Sequence, residues 1–334
     1  MTNTAPPALL EAPYQQRSFI AQALDPIHIG TGEFRLGRVD NTIVREPGTN
    51  LPKIPGSSIA GVARAYAAMK TDQYRRVVDG KSKSCAGRGG DGGNDHCGTC
   101  DVCIAFGFSK ANGGSFQGLA QFSDARLLFF PVYSLLGPLW ITCPSALQNA
   151  GYSEPGNLTW AQWNTALDKN VFTDKAGTLD QINLGWLYLP VLRDPQPPLL
   201  AQWAATQTAL PADLKPVFDR LALVSDAVFS IIVDDQLEVR TSVSISPETG
   251  AAEPGALFTA EALPRASVLL FQVTVLNPRN FRLPNGNGGA PIPTNMAGIH
   301  GTVAAGLDLI EFLGVGGVNT RGMGRLKVFP GVAL

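Results

Sequence analysis

The chain has 334 residues and a formal net charge of −1, and only 16% of its residues are charged, against about 25% in an average globular protein. Its 36 glycines and 25 prolines exceed the usual share, whereas its 45% hydrophobic content is ordinary. These values exclude wholesale disorder and a collagen-like chain, and they favour a loop-rich fold with strands over a helical bundle. The near-neutral charge gives no global indication of nucleic-acid binding.

The charges are unevenly distributed along the chain. Residues 17–88 carry 12 Lys/Arg and 6 Asp/Glu, residues 89–278 carry 9 and 18, and residues 279–334 carry 5 and 2. Two basic blocks therefore flank an acidic middle, which indicates either solvated faces of different sign or an acidic partner for the basic blocks. No run of 18 apolar residues and no leader-like start occurs, so we expect a cytoplasmic protein without a membrane partner.

The N-terminal part predicts a strand, a long loop and a helix. The strand covers residues 17–29, and Ser57 or Ser58 is placed to cap the helix after the loop. The apolar positions of this helix have helical spacing: Ile59, Val62, Ala63, Tyr66 and Ala67. Residues 80–117 are rich in Gly, Cys, Asn and Asp, so they predict an insertion that needs a staple to become ordered.

The middle of the chain predicts further strands, short helices and a hairpin. Residues 118–134 give one or two strands in which Phe129 and Phe130 face inward. Residues 146–225 form an insertion of loops and short helices, one of which Thr159 would cap. Within residues 226–265, AVFSIIV predicts a buried strand, and the alternating residues around SPETGAAEPG predict an exposed hairpin.

The C-terminal part completes a recognisable order of elements. Residues 266–276 predict a strand, residues 300–314 a helix that ends at Gly314, and residues 324–330 a final strand. The order predicts an α+β fold, a ferredoxin-like or RRM-like palm with large insertions. The palm comprises residues 17–79 and 266–334, with strands from residues 118–145.

Four of the five cysteines and one histidine lie within 19 residues: Cys85, His96, Cys97, Cys100 and Cys103. Three thiols at two-residue gaps in a glycine-rich loop, with Cys85 or His96 as the fourth ligand, predict a closed structural Zn²⁺ site. Free thiols and a redox motif are the alternatives. Cys143 has apolar neighbours and is expected to be a buried core thiol.

Asp40 lies in the loop after the first strand, between Arg38 and Arg45. A carboxylate there can stay ionised close to a phosphate held by these cations, although an aspartate in a loop is often a turn or cap residue. His28, at the end of the strand, is by itself best interpreted as a structural histidine. No carboxylate cluster indicates a two-metal nuclease site built by the protein.

The segment GVGGVNTRGMGRLKV lies between the last helix and the last strand and lacks the Gly-Lys-Ser/Thr ending of a P-loop. Its glycines would let backbone N–H groups approach a phosphate near Thr320, Arg321 and Arg325. A tight turn is the alternative interpretation.

Six segments in chain order, IHIGTG, VDNTIVREPGTNLPKIPGSSIAGVAR, FGFS, FSDARLLFFPV, SPETGAAEPGALFTAEALPR and GVGGVNTRGMGRLKV, together resemble the RAMP-superfamily backbone subunit of type III-B CRISPR-Cas (Cmr) effector complexes. The cysteine segment followed by AFGFS is more similar to the backbone subunit of type III-A (Csm) complexes. Ala60 stands where the family often has lysine.

The resemblance implies an RRM-like palm and a β-hairpin thumb, and the thumb lies within residues 226–265, which also hold the predicted strand. The zinc-bound loop is predicted from the cysteines alone. It implies copies of the chain stacked as a filament on CRISPR RNA (crRNA), together with other type III effector subunits. It also implies cleavage of complementary target RNA at regular intervals, with Asp40 as the catalytic residue. A divalent metal such as Mg²⁺ would support attack of the target's 2′-hydroxyl on the adjacent phosphate.

The same resemblance implies RNA contacts at the N-terminus of the helix that opens at GSS and in the two basic blocks. The residues expected to contact RNA are His28, Arg38, Arg45, Lys53, Ser57, Ser58, Arg64, Thr320, Arg321 and Arg325. Two alternatives stay open, a filament subunit that binds crRNA without cleaving RNA, and a zinc-stabilised scaffold without nucleic acid.

Overall fold

The computed structural model describes residues 12–32, 39–78, 81–87, 96–110, 114–193, 200–207, 211–253, 257–284 and 295–333. The strands in this part of the chain are β1 (Tyr14–Ala23), β2 (Lys53–Ile54), β3 (Arg76–Val78), β4 (Lys81–Lys83), β5 (Phe108–Ser109), β6 (Ser115–Phe116), β7 (Ala120–Phe122), β8 (Ala125–Val132), β9 (Leu139–Thr142), β10 (Gln181–Leu184), β11 (Leu187–Pro190), β12 (Leu221–Leu223), β13 (Glu238–Ser242), β14 (Phe258–Ala262), β15 (Val268–Leu276), β16 (Leu326–Val328) and β17 (Val332–Ala333). The helices are α1 (Gly56–Lys70), α2 (Asp101–Phe106), α3 (Pro144–Asn149), α4 (Trp160–Ala166), α5 (Leu200–Thr206), α6 (Lys215–Phe218), α7 (Asp226–Asp235), α8 (Met296–Leu307) and α9 (Ile310–Leu313).

A nine-stranded mixed sheet forms the centre of the described chain, along the path β12-β9-β8-β15-β1-β16. β1 and β15 pair antiparallel along nearly their whole length, from Tyr14 opposite Leu276 to Gln22 opposite Val268. β9 and β12 pair parallel, whereas β8 is antiparallel to both β9 and β15. The predicted α+β class is therefore confirmed.

Both faces of this sheet are covered. Phe129 and Phe130 are adjacent in β8, so they point to opposite faces, and both are fully buried. Phe130 belongs to a cluster that includes Phe271, whereas Phe129 belongs to a second cluster with Trp163 and Trp203. The predicted inward orientation of the two phenylalanines is confirmed, and the insertion after β9 supplies the second cover.

Helices α1 and α8 pack against each other through residues four positions apart. Ile59 and Ala63 of α1 and Ile299 and Val303 of α8 are all buried. Gly306 lies at the contact, where a Cβ atom would overlap the backbone of Ala63. The absence of a side chain at this position allows the two helices to approach closely.

We expect Gly306→Ala to destabilise the protein by roughly 3 kcal/mol, because the added methyl group must displace α1. Gly301 is the matched control, since it is exposed in the same helix and a Cβ placed there would have no atom of the described residues within 4 Å. Gly301→Ala should stabilise the protein by up to about 1 kcal/mol. Denaturant unfolding followed by circular dichroism measures both, and equal effects in the two variants would contradict this packing.

Met296–Leu313, which spans α8 and α9, is long and apolar enough to cross a membrane by length and composition. Its α8 part packs on α1, where Ile299, Val303 and Leu307 are buried. Core helices of soluble proteins meet the same criterion, so this stretch is interpreted as a core helix.

Residues 227–233 lie in α7, so the prediction of a buried strand there is wrong. Ser225 caps this helix by accepting a hydrogen bond from the N–H of Val228 at 3.3 Å. Val228, Phe229 and Ile232 are buried, which is the spacing of one helix face. A short apolar run does not distinguish a buried strand from a helix, and the capping serine was the signal that favoured the helix.

Three other predicted features are confirmed. Thr159 caps α4 in a capping box with Gln162, and Gly314, with a φ of 78°, ends α9. β13 and β14 pair antiparallel as the predicted hairpin. The first strand is shifted relative to its prediction, since β1 ends at Ala23 rather than at residue 29.

Candidate active site and metal-binding cluster

His28 lies where three segments of the chain meet. Its ring Nδ1 donates a hydrogen bond to the carbonyl of Glu261 in β14 at 2.6 Å. Its own carbonyl accepts a hydrogen bond from the N–H of Gly317 at 2.9 Å. The side chain is only 7% exposed, so these contacts support a structural role for His28. The loop after β1, the β13–β14 hairpin and the C-terminal glycine-rich loop are joined at this residue.

Asp40 is exposed and is bonded to the same hairpin. Its Oδ2 accepts hydrogen bonds from the N–H and the hydroxyl of Thr259, at 2.8 and 2.9 Å. The next residue, Asn41, donates its N–H to the carbonyl of Thr259 at 3.0 Å. Both hydrogen bonds from Thr259 go to Oδ2, so this carboxylate oxygen is held in place by the hairpin.

The hydrogen bonds from Thr259 lower the pKa of Asp40 below the ordinary value of 3.8. The carboxylate is therefore charged at neutral pH and is a weak proton acceptor there. Such a group is better suited to hold a cation or to orient a substrate than to remove a proton.

Arg45, one of the predicted RNA contacts, is committed to two carboxylates. Its guanidinium nitrogens lie 2.5 Å from Asp234 and 2.7 Å from Glu261. Glu261 also accepts a hydrogen bond from the N–H of Ile43 at 3.2 Å and is 7% exposed. This ion pair fastens the segment before α1 to the hairpin, next to the position of Asp40.

We expect Glu261→Gln to destabilise the protein by about 2 kcal/mol, because it leaves Arg45 partly buried without its second carboxylate. Glu238→Gln is the control, since Glu238 pairs with Arg240 at 2.6 Å but both side chains are about one-third exposed. That exposed pair should contribute less than about 1 kcal/mol. Denaturant unfolding tests the difference, and equal losses in the two variants would show that the Glu261 pair has no special structural role.

The N-terminus of α1 is capped by Asp124 and not by a serine. Oδ1 of Asp124 accepts a hydrogen bond from the N–H of Gly56 at 2.8 Å, and its Oδ2 lies 2.7 Å from the ammonium group of Lys53. The hydrogen bond with Lys53 lowers the pKa of Asp124, and the same bond raises the pKa of Lys53. The prediction that Ser57 or Ser58 caps the helix is therefore wrong, because the helix begins at Gly56 after Pro55, which places both serines inside its first turn.

The predicted RNA-binding cations fall into two groups. Three of them pair with carboxylates: Arg45, Lys53 and Arg325, the last with Asp25 at 2.6 and 3.0 Å. Two of them pair with no carboxylate in the described part of the chain: Arg64 and Arg321. Arg38 lies outside the described residues. Positive charge that is still open to an anion therefore lies at Arg64 and Arg321.

The C-terminal glycine-rich loop packs on the hairpin. The guanidinium of Arg321 lies over the ring of Phe258, 5.5 Å from its centroid. Gly316 has a φ of 86°, and a Cβ there would overlap the carbonyl of His28, so this position requires glycine. Thr320 is exposed at the tip of the loop. The loop is a tight turn, and it leaves Thr320 and Arg321 open on the same side as the hairpin.

Four cysteines form one cluster, and the sulfur atoms of Cys85, Cys97, Cys100 and Cys103 all lie within 4.8 Å of one another. Cys100 and Cys103 stand at the start of α2, and the N–H of Cys100 donates to the Cys97 sulfur at 3.2 Å. Four thiolates around one point fit a closed tetrahedral metal site. The cluster can hold a metal ion, and Cys85 rather than His96 is its fourth member.

The four thiols share their protons through hydrogen bonds with one another. Hydrogen bonds from Cys100 and Cys103 lower the pKa of Cys85 to about 7 and hold the pKa of Cys97 well below its usual range, whereas hydrogen bonding within the cluster raises the pKa of Cys100 and of Cys103. Burial raises the pKa of Cys143, which is 3% exposed. Cys143 is therefore the inert core thiol that the sequence predicts.

His96 lies beside this cluster and connects it to α1. Its Nε2 contacts the carbonyl of Gly87 and lies 3.2 Å from the guanidinium of Arg64, which in turn donates to the carbonyl of Cys85 at 2.8 Å. Within the described residues Nδ1 has no hydrogen-bond partner.

Three residues of these sites were not predicted from the sequence: Thr259, Glu261 and Asp124. Glu261 did carry a signal, since it is a charged residue between two alanines in a strand, and an unpaired charge at such a position would be costly. Thr259 carried none, because its contact with Asp40 joins positions 219 residues apart.

Comparison with known proteins places these sites in a family context. The RAMP superfamily model matches residues 20–327. The CRISPR system Cmr endoribonuclease Cmr4 of Pyrococcus furiosus is 26% identical over 315 residues, covering 91% of this chain and 92% of that protein. The CRISPR system Cms endoribonuclease Csm3 of Methanothermobacter thermautotrophicus is 36% identical over 94 residues, which are 28% of this chain and 32% of that protein.

Solved structures share the fold. The crystal structure of oligomeric Cmr4 from Pyrococcus furiosus has a TM-score of 0.60 at 19% identity, covering 96% of this chain and 98% of that chain. The cryo-EM structure of the type III-B Cmr-beta bound to cognate target RNA has a TM-score of 0.57 at 13% identity, covering 95% of this chain and 98% of that chain. The family model covers nearly all of the chain, which confirms the resemblance seen in the sequence motifs. The chain belongs to the RAMP superfamily.

Proposed function

We propose that this chain is the repeated backbone subunit of a type III CRISPR effector complex, which binds crRNA and cleaves complementary target RNA. The observation that carries the proposal is similarity over 91% of the chain to a protein named as a Cmr endoribonuclease. An exposed, ionised Asp40 beside the hairpin supports the same activity.

The scaffold is proposed to be the ferredoxin-like palm expected of this superfamily. The elements β1, α1, β8, β15, α8 and β16 follow one another in the βαββαβ order, and their strands lie in the order β16-β1-β15-β8. Every neighbouring pair among these four strands is antiparallel. The β13–β14 hairpin is then the thumb, joined to the palm by the Ile27–Leu263 bridge.

We assign Asp40 as the residue on which target cleavage depends. Its lowered pKa makes it a poor base at neutral pH, so the more suitable of its two possible roles is to hold a divalent metal such as Mg²⁺. Such a metal would stabilise negative charge on the phosphate attacked by the adjacent 2′-hydroxyl. Thr259 would keep Oδ2 fixed while Oδ1 faces the ligand.

RNA contacts are proposed at the groups that still offer charge or free N–H donors. Arg64, Arg321, Thr320 and the exposed Ser57 meet this description among the described residues. Arg45, Lys53 and Arg325 stabilise the protein through ion pairs, and we assign them a smaller share of phosphate binding. His28 supports the site through its contacts with the hairpin and the glycine-rich loop.

The cysteine cluster is proposed to hold a structural Zn²⁺ ion. Four thiolates leave no position for a water molecule, which fits a structural and not a catalytic site. The cluster is surrounded by a small apolar group that includes Ala67, Ala68 and Val102. Metal binding would therefore order the segment and attach it to α1.

The alternative is a filament subunit that binds crRNA without cleaving its target. It is favoured by one observation, that the carboxylate of Asp40 already accepts two hydrogen bonds from Thr259 and so has a structural use. In either case the partners are crRNA, target RNA, further copies of the chain and other type III subunits, in the cytoplasm.

RNA that copurifies with the chain tests the proposal first. The purified protein should show an absorbance ratio at 260 and 280 nm well above that of a protein alone, and ribonuclease treatment should lower the ratio. A nucleic-acid-free chain that also fails to bind added single-stranded RNA would contradict both RNA-binding candidates and leave the zinc-stabilised scaffold.

A further inference from the structure

A shallow pocket lies between α1 and the cysteine segment, away from Asp40. Its volume is about 470 Å³, and its walls include Gly61 and Arg64 of α1, Gly87, His96, and the rings of Phe108 and Phe116. The volume is within the range of sites for small ligands. None of these side chains is a ligand in the cysteine cluster, and of the residues named here only Arg64 has been assigned an RNA contact above.

Two walls of the pocket are formed by glycines, Gly61 and Gly87, which expose their backbone to it. Gly61 is exposed in the interior of a helix, and among the described residues neither it nor Gly87 has an atom within 4 Å of the place of a Cβ. Close packing against the described part of the chain therefore does not explain either glycine. Glycine favours the interior of a helix less than alanine does, so close approach of a ligand is a physical reason for the presence of Gly61 there.

The third wall is aromatic. Phe108 and Phe116 face each other across β5 and β6, with ring centroids 6.2 Å apart and planes 25° apart. Both rings are only partly buried, and the ammonium group of Lys110 lies 5.3 Å from the centroid of Phe108. A partly exposed aromatic pair beside cations is the arrangement on which proteins stack the bases of single-stranded nucleic acids.

Polar groups at the floor of the pocket complete a nucleotide-binding set. Arg64 is held by the Cys85 carbonyl, pairs with no described carboxylate, and can attract a phosphate. His96 is 7% exposed, and its Nδ1 has no hydrogen-bond partner among the described residues. An unsatisfied buried ring nitrogen costs free energy until a partner reaches it, and base edges and 2′-hydroxyls, which both donate and accept hydrogen bonds, are such partners.

We propose that this pocket binds one nucleotide of the RNA strand that runs along α1, with the base stacked on Phe108 and Phe116 and the phosphate at Arg64. The inference rests on the proposed RNA-binding function and assigns a second task to the cysteine segment. The bound metal would order the walls of a base-binding pocket as well as stabilise the fold.

The deciding experiment uses the full chain purified with Zn²⁺ and a fluorescein-labelled single-stranded RNA of mixed sequence, with binding followed by fluorescence anisotropy. Gly61→Leu fills the pocket and should weaken RNA binding about tenfold, the value of one base stack. The melting temperature should stay equal or rise, because leucine favours a helix over glycine. Gly301→Leu, at an equally open helix position, should leave the affinity unchanged.

Phe116→Ala provides a second variant, with Trp186→Ala as the control for loss of an aromatic ring, since Trp186 is 62% exposed in another part of the chain. The metal content of every variant is measured. If Phe116→Ala has lost its metal, the affinity of Gly61→Leu alone decides whether the pocket binds RNA. Wild-type affinity in Gly61→Leu would overturn the pocket and leave the proposed function standing. Absence of RNA binding by the wild-type chain would overturn both.

Discussion

Asp40→Asn should reduce cleavage of complementary RNA by a reconstituted effector complex at least about a hundredfold, while the complex still binds its target. Asparagine keeps an acceptor for the N–H and hydroxyl of Thr259, so the contact with the hairpin is preserved. What is lost is the negative charge available to a metal ion. Rates of target cleavage under single-turnover conditions measure the effect.

The pH profile separates two roles for the same carboxylate. Because the pKa of Asp40 is lowered, the group stays ionised throughout the range from about pH 5 to 8. Titration of Asp40 should therefore cause no loss of cleavage rate in that range, and the rate should depend on the metal concentration. A wild-type cleavage rate that falls below about pH 6, with no such fall in the residual rate of Asp40→Asn, would indicate that Asp40 is a general base with a raised pKa.

Asp180→Asn is the control for loss of an exposed aspartate, and it should cleave at the wild-type rate. Asp40→Ala is the stricter variant, because it removes the contact with Thr259 as well as the charge. If Asp40→Asn and Asp40→Ala both cleave at the wild-type rate, then Asp40 has only a structural role, and the non-cleaving filament subunit becomes the better assignment.

Cys100→Ser should abolish near-stoichiometric zinc binding and destabilise the cysteine segment by about 4 kcal/mol or more, because the metal site is proposed to supply most of its folding energy. The effect should be largest in residues 96–110, which include α2. Metal analysis of the purified chain and hydrogen exchange of this segment measure the two quantities. A chelator should produce the same exchange pattern in the wild-type protein.

Cys143→Ala is the matched control, because it removes a buried thiol that lies outside the cluster. It should destabilise the core but leave the zinc content unchanged. His96→Gln should also retain zinc, since His96 lies outside the four-cysteine cluster. Zinc that persists in Cys100→Ser, or that is lost in His96→Gln, would contradict the proposed ligand set.

The sequence predicted the metal cluster well because its members are close along the chain. Cys97, Cys100 and Cys103 have the spacing of a ligand loop, which needs no knowledge of the fold. The fourth member was left open, and the structure places Cys85 there because His96 turns toward Gly87 and Arg64. The order of the main strands and helices was predictable for a similar reason, since local periodicity determines it.

The surroundings of Asp40 were not predictable, because its partners come from distant parts of the chain. Thr259 and Glu261 are separated by more than 200 residues from the groups that they bond, Asp40, Ile43 and Arg45. Some of the basic residues predicted as RNA contacts, Arg45, Lys53 and Arg325, form ion pairs with carboxylates that are distant in the sequence. Charge along a sequence shows where cations are, but only the fold shows which of them are already neutralised.

The most direct test of the proposed function is to map the ends of a labelled target RNA after incubation with a complex reconstituted from this chain, crRNA, the other effector subunits and Mg²⁺. We predict a ladder of cuts at regular intervals within the paired region, and the products should carry 2′,3′-cyclic phosphate ends. Complexes with Asp40→Asn should not produce this ladder. A target that is bound stably but stays uncut by the wild-type complex would contradict the account.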